Sequence, residues 1–332
     1  MFSARVFCIC ALVGSTLAMQ SSLRAAEDIN AVTAFGKSLF FDPRLSADGN
    51  TACASCHHPD AVYADARATP LLRTDAKHAT RAGSRNTPSL LLSTYYTRWS
   101  WDGRNTSLEA QVLEPLFSAA EHGFREARDV TTLIARTPTW ASEYANAFGA
   151  SSVFTIENIA RALAQYVRSL APAQARTGAG EAAKTLNDAE SRGQTLFNGT
   201  ASCASCHNPT TAFTDNAFHL RYQGEIVIDT AMQAAMNRVR LRTLSSKYHR
   251  ATNEPLIASF GAFAATLDPK DLGTFRTPSL WFVARTAPYM HDGGVATLRE
   301  AVTIEAQRRA TAALSSDEID ALTAYLRTLT AP

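Results

Sequence analysis

The pentapeptide CASCH occurs twice in this chain of 332 residues, at Cys53–His57 and again at Cys203–His207. C-x-x-C-H is the attachment pattern of a c-type haem: two thiols add to the porphyrin edge and the adjacent imidazole binds iron on the proximal face. A fold that carries it must bury a large planar cofactor against each copy. Two other chemistries use paired cysteines. A thioredoxin-like redox pair belongs in a βαβ unit, and no such pattern surrounds either copy. A four-cysteine zinc site needs both pairs to converge and leaves His57 and His207 unexplained. The haem reading assigns Cys53, Cys56 and His57 to haem 1, and Cys203, Cys206 and His207 to haem 2.

The other cysteines agree. Six are present, and Cys8 and Cys10 lie in an N-terminal segment with a basic start and an apolar run, Val6–Met19. This reads as a secretory signal peptide of about 26 residues, cut after Ala18 or near Ala25–Ala26, and too short for a good membrane span. Export to the periplasm is expected. Without residues 1–26, Arg5 and Arg24 are lost and the formal charge of +2 falls to about zero. That balance argues against nucleic acid or anionic lipid as a partner.

The fold is expected to be mainly α, two cytochrome c-like haem domains joined by long loops, with little β structure. Thr155–Leu170 carries a 3.6-residue apolar stripe. Asn187 with Glu190, and Ser315 with Glu318, form capping-box starts. Ile226–Ile228 is the one convincing β-branched run. Ala171–Lys184 is small and flexible and reads as a linker, giving an N-terminal haem 1 domain at 27–172 and a C-terminal haem 2 domain at 173–332. Gly36-Lys-Ser-Leu39-Phe40 precedes the first CASCH and Gly193-Gln-Thr-Leu196-Phe197 the second, so two related units are the simplest account.

Six further blocks flank the haem motifs in order: Leu39-Phe-Phe-Asp-Pro-Arg-Leu-Ser46, Gly83-Ser-Arg-Asn-Thr-Pro-Ser89, Trp101-Asp-Gly-Arg104, Leu108-Glu-Ala-Gln111, Phe275-Arg-Thr-Pro-Ser-Leu280 and Thr286-Ala-Pro-Tyr-Met-His-Asp-Gly293. With them the chain resembles the bacterial dihaem cytochrome c peroxidases and their MauG-type relatives. The resemblance implies a role for each matching residue. His78, seven positions before Arg85, matches a displaceable ligand of haem 1; a solvent-facing loop histidine is the other reading. Trp101 matches the tryptophan that passes electrons between the haems, while Trp99 reads as a core aromatic. Glu121 matches the distal glutamate that moves a proton between the oxygens of peroxide, and Gln111 a pocket glutamine. His122, where relatives often carry methionine, is open between a proton relay and a surface or supporting role. Asn86 and the carbonyls of Thr286 and Pro288 match an interdomain calcium site made of hard oxygens; turn-capping by Asn86 is the alternative. Arg276 matches an arginine near the haem 2 propionates.

Haem 2 departs from the pattern. The peroxidases have a methionine ligand fourteen residues after the histidine of Tyr-x-His-Asp-Gly, and MauG-type enzymes a tyrosine; here that position is Glu305. Glu305 continues the stripe of Leu298, Ala301 and Val302, and a carboxylate on an apolar face needs a partner or a metal. Three outcomes stay open: Glu305 ligates haem 2; it lies beside an open iron; or another residue, such as Met290, Met232, Met236 or His249, takes the position. Gly224–Lys270 matches least and reads as a basic, solvated helix or as an insertion that shapes a partner surface.

The expected function is reduction of hydrogen peroxide to water with electrons from a small cytochrome c or cupredoxin. The alternatives are a MauG-type oxidase that uses an oxidised haem to modify a partner protein, and an electron-transfer cytochrome without turnover. A homodimer is left open.

Overall fold

A computed structural model describes residues 28–72, 81–172, 185–221, 228–245 and 255–330. Residues 1–26, His78, His249 and most of the linker lie outside the described residues. The architecture is mainly α. No helix among the described residues is long and apolar enough to cross a membrane.

The first half builds on α1 (Ile29–Phe41), α2 (Leu108–Phe117), α3 (Ala127–Arg136), α4 (Pro138–Phe148) and α5 (Ile156–Ser169). Asp28 caps α1 by accepting from the Asn30 N–H at 2.9 Å, and the Thr155 hydroxyl caps α5 at Asn158. Val32, Phe35, Leu39 and Phe40 form the buried stripe of α1, and pack in one core with Ile159, Leu163, Tyr166 and Val167 of α5. The second half repeats this pair with α6 (Asp188–Asn198) and α11 (Ser316–Thr328). Both start in the capping boxes read from the sequence, Asn187 with Glu190 and Ser315 with Glu318.

The echo between Gly36…Phe40 and Gly193…Phe197 has a packing cause. A Cβ on Gly36 would sit 1.9 Å from the Ala162 carbonyl oxygen of α5, and one on Gly193 would sit 2.0 Å from that of Ala321 on α11. The helices cross at these points with backbones in contact, which only glycine permits. Phe40 then meets Tyr166 with ring centroids 5.1 Å apart, and Phe197 meets Tyr325 at 5.4 Å.

Among the described residues the β structure is two antiparallel pairs, β1 (Leu71–Leu72) with β2 (Arg81–Ala82), and β3 (Phe218–Leu220) with β4 (Thr274–Arg276). Neither pair lies on Ile226–Ile228, of which residues 226 and 227 are outside the described set. Three-residue strands carry too little pattern to be read locally; β4 is a strand because it is buried along its length.

Gly224–Lys270 is more than a solvated helix. Within it α7 (Thr230–Ser245), α8 (Pro255–Ala258) and α9 (Phe263–Thr266) form a third core from Ala235, Met236, Val239, Ile257, Phe260 and Phe263. Met232 packs on its edge. Both methionines are therefore core residues of this unit rather than haem ligands, while Arg238 on the other face is exposed. The last long helix, α10 (Leu298–Arg309), is capped by the Thr297 hydroxyl and packs Leu298 and Val302 into the second core.

Candidate haem centres

Each CASCH forms a short 3-10 turn, Cys53–Ser55 and Cys203–Ser205. The His57 N–H donates to Cys53 O at 3.0 Å, and the His207 N–H to Cys203 O at 2.9 Å, so both cysteines and the imidazole are presented from one turn. In each copy the chain then passes through two left-handed residues, Val62 and Tyr63, or Ala212 and Phe213. This bend returns a carbonyl to the ring. His57 Nδ1 donates to Tyr63 O at 2.9 Å, and His207 Nδ1 to Phe213 O at 2.9 Å. The bond selects the tautomer and leaves Nε2 free to bind a metal. Burial lowers the pKa of both rings against the pull of those carbonyls, so they are neutral and able to ligate. Burial also pushes the Cys53 and Cys56 thiols up to about 12 and Cys203 to about 11, which keeps them protonated. The donor set and its locked tautomers fit a covalently held haem at each turn.

Around the first turn lies a cavity of about 280 Å³, lined by Cys53, Cys56 and His57 together with Trp101, Gln111, Glu121, His122, Asn86 and Arg276. Residues from four sequence blocks thus converge here. Glu121 is set by the end of α2: Pro115 and Ser118 close that helix, and the Glu121 N–H donates to Ser118 O at 3.0 Å. Burial raises the Glu121 carboxyl above its ordinary range, against the Ser118 hydroxyl and the more distant Arg104. Gln111, one turn before Glu114 on α2, accepts at Oε1 from Ser100 Oγ at 2.7 Å and from Asn105 Nδ2 at 3.0 Å. Its oxygen is occupied, so its NH2 is what it can donate.

Trp101 joins the two halves. Its Nε1 donates to Asn86 O at 2.8 Å, and its own carbonyl accepts from the Arg276 N–H on β4 at 3.0 Å. Trp99 packs partly buried on the first core, as expected of a core aromatic, and also lines the cavity. His122 is not a surface residue. It is 2 % exposed, donates from Nδ1 to Leu45 O, and lies 3.9 Å from the Cys53 sulfur. Arg276, expected at the haem 2 propionates, lines this first cavity, with its guanidinium 3.4 Å above the Tyr96 ring centre.

Asn86 and Pro288, 202 positions apart in sequence, do meet. Asn86 Nδ2 donates to Pro288 O at 3.3 Å and to Ala68 O at 3.2 Å. The amide nitrogen faces the proline carbonyl. This is a buried amide joining the halves.

On α10, Glu305 is ion-paired with Arg221, whose guanidinium also contacts the Met290 sulfur. Asp215 and His219 pair at 2.7 Å close to Cys206. His78 and His249 lie outside the described residues.

Sequence reasoning missed two features. The first is Glu114, 2 % exposed, which accepts from Arg104 Nε at 2.7 Å and from Asn105 Nδ2 at 2.7 Å. Burial lifts its carboxyl above the usual range although those donors pull it down. Arg104 also binds Asp102 at 2.8 Å, and both line the cavity. A carboxylate amid the apolar residues of α2 was a readable signal. The second is Arg221, which no local pattern marks.

The sequence profile described as "Di-haem cytochrome c peroxidase" matches residues 30–179. The cytochrome-c peroxidase IdrP1 of Denitromonas iodatirespirans is 34% identical over 302 residues, covering 87% of this chain and 76% of the relative. The methylamine utilization protein MauG of Methylorubrum extorquens is 33% identical over 268 residues, covering 80% and 65%. Among solved structures, a MauG-like protein associated with microbial copper homeostasis superposes with a TM-score of 0.70 at 26% identity, covering 91% of this chain and 89% of that one.

Proposed function

Because this chain belongs to the di-haem cytochrome c peroxidase family and is an oxidoreductase of that type, we propose that it is an exported peroxidase that reduces hydrogen peroxide to water with electrons from a small redox protein. The observation that carries this reading is the placement of Glu121, Gln111 and Trp101 in one cavity with Cys53, Cys56 and His57.

Held at that turn, a haem supplies the iron at which the oxygen–oxygen bond of peroxide is reduced. Reduction of one peroxide to two waters takes up two electrons and two protons. Glu121 accepts the proton of one peroxide oxygen and returns it to the other, which leaves as the first water; the two donor electrons and the two protons taken up then release the remaining oxygen as the second, and a carboxyl raised by burial suits both the acceptance and the return. The Gln111 NH2 orients the substrate. His57, fixed by Tyr63 O, presents Nε2 and no other atom. Trp101 lies on the route between the halves, with its ring held by Asn86 O and its backbone by β4. The test is consumption of peroxide by the purified protein with a reduced small cytochrome c or cupredoxin. No peroxide-dependent oxidation of any such donor would sink the reading.

The same carboxyl sets a pH dependence. Glu121 works as a base when ionised, and burial raises its carboxyl above the ordinary glutamate range. The peroxide rate is therefore expected to fall on the acid side, with a midpoint above that ordinary range, and Glu121→Gln should remove that limb. Trp101→Phe should slow donor-driven turnover at least several-fold while leaving the binding of peroxide unchanged, as stopped-flow and steady-state assays together would report.

A second reading, oxidation of a partner protein in the manner of MauG, is favoured by Glu305 standing where the peroxidases have methionine. Sluggish turnover with small donors, together with a covalent change in a co-expressed partner, would select it. Periplasmic location follows from residues 1–26 and from the extracytoplasmic attachment of c-type haem. A calcium ion at Asn86, Thr286 and Pro288 requires the Asn86 amide to turn its oxygen inward; loss of interhaem electron transfer on chelation would support that site, because Asn86 also holds Trp101.

A further inference from the structure

Two of the side chains considered from the sequence for the sixth position of the second haem, Glu305 and Met290, touch the same arginine. Glu305 lies on α10 in line with the buried Leu298, Ala301 and Val302. Leu298 and Val302 share a core with Phe213, and Cys203 packs against it, so this face of α10 looks toward the second CASCH turn. Arg221 follows β3 directly. Its Nη1 donates to Glu305 Oε1 and its Nη2 contacts the Met290 sulfur.

The arginine is held in place on both sides. Its N–H donates to Gly273 O at 2.9 Å, next to β4. One residue earlier, Leu220 O accepts from Arg308 Nη2 of α10 at 2.7 Å. The segment is thus clamped to α10 at two places, one of them the Arg221–Glu305 pair. The two side chains are 19% and 39% exposed, so the pair is partly withdrawn from water, where a charge-assisted bond is stronger than at an open surface. Met232 and Met236 are committed to the α7–α9 core. Of the described donors considered for the sixth iron position, that leaves Glu305 and Met290, and Arg221 engages both.

We propose that Arg221 is a positioning residue of the second haem: it holds Glu305, with the Met290 sulfur beside it, off the iron and so prevents carboxylate ligation. The proposal rests on the reading that this haem is attached at Cys203, Cys206 and His207. An iron that took the Glu305 oxygen would have to break the ion pair and leave a half-buried guanidinium without its anion, which is costly. Removal of Arg221 reverses the balance. Glu305 is then released from its cation, and a ferric iron, a hard cation, competes with water for its oxygen. Axial ligands tune haem potentials widely, so this one arginine sets whether the second haem can be reduced easily.

The test begins with a pyridine haemochrome count. Two haems per chain establish the attachment; one haem overturns the reading beneath the proposal, and the proposal with it. EPR and optical spectra of the ferric protein follow, with the second-haem signal assigned by its loss in Cys203→Ala/Cys206→Ala. Glu305→Gln and Arg221→Lys are expected to keep the wild-type second-haem signal. Arg221→Gln is expected to convert it to that of a carboxylate-ligated haem with a lowered potential, and Arg221→Gln/Glu305→Gln to restore it. A changed second-haem signal in Glu305→Gln alone overturns the proposal, because it makes Glu305 the ligand. An unchanged signal in Arg221→Gln overturns it equally. The Glu305→Gln arm stands by itself if the arginine variants fail to fold.

Discussion

Glu121→Gln lowers the rate constant for reaction with hydrogen peroxide by about 100- to 10,000-fold, the range typical for loss of a positioned acid–base group. The amide is nearly the same size, so the cavity keeps its shape. It cannot take a proton, and the transfer between the two oxygens loses its carrier. Haem content stays at wild type, because Glu121 makes no hydrogen bond to the turn Cys53–His57. His122 is no substitute: its Nδ1 is committed to Leu45 O and its Nε2 faces the Cys53 sulfur. Stopped-flow mixing with peroxide measures the effect. A loss of less than tenfold would remove Glu121 from the proton path and direct attention to His122 or a water.

Gly36→Ala and Gly193→Ala each destabilise the protein by about 3 kcal/mol, on the order of 10 °C in Tm if unfolding is reversible. The physical cause is the same in both. The added methyl meets a backbone carbonyl, that of Ala162 or Ala321, at 1.9 or 2.0 Å, well inside the closest approach of real contacts. A backbone atom in a helix cannot rotate away, so α1 must move off α5, or α6 off α11. Phe40–Tyr166 or Phe197–Tyr325 then lose their packing. Because the halves use the same crossing, calorimetry should show similar losses for the two variants. Wild-type Tm in both would mean that the helices do not pack through these glycines.

Much of the haem chemistry was legible because it is local. A c-type attachment needs two thiols and an imidazole within five residues, and CASCH displays all three. Helix starts were legible for the same reason: Asn187 with Glu190 and Ser315 with Glu318 cap through bonds three residues long. The cavity residues Trp101, Gln111 and Glu121 came from the resemblance, and the structure brings them to one place. That Arg276 also lines the first cavity was not legible, because β4, which carries it, is recognisable only once paired with β3. The α7–α9 unit went unread because the stripe Met232, Ala235, Met236 and Val239 is diluted by arginines on the other face.

The sequence by itself determined the cofactor, the two attachment turns, the helical class and the repeated Gly-x-x-Leu-Phe segment before each turn. Each of these depends on groups only a few residues apart, whose geometry the covalent chain imposes. Only the tertiary structure decided what surrounds each haem: that Glu114 backs Arg104, that Asn86 carries Trp101, and that Glu305 meets Arg221 across 84 positions. Those contacts depend on how α2, β3, β4 and α10 are stacked. Burial then makes each pairing consequential, because a charge withdrawn from water takes the nearest partner that packing leaves within reach.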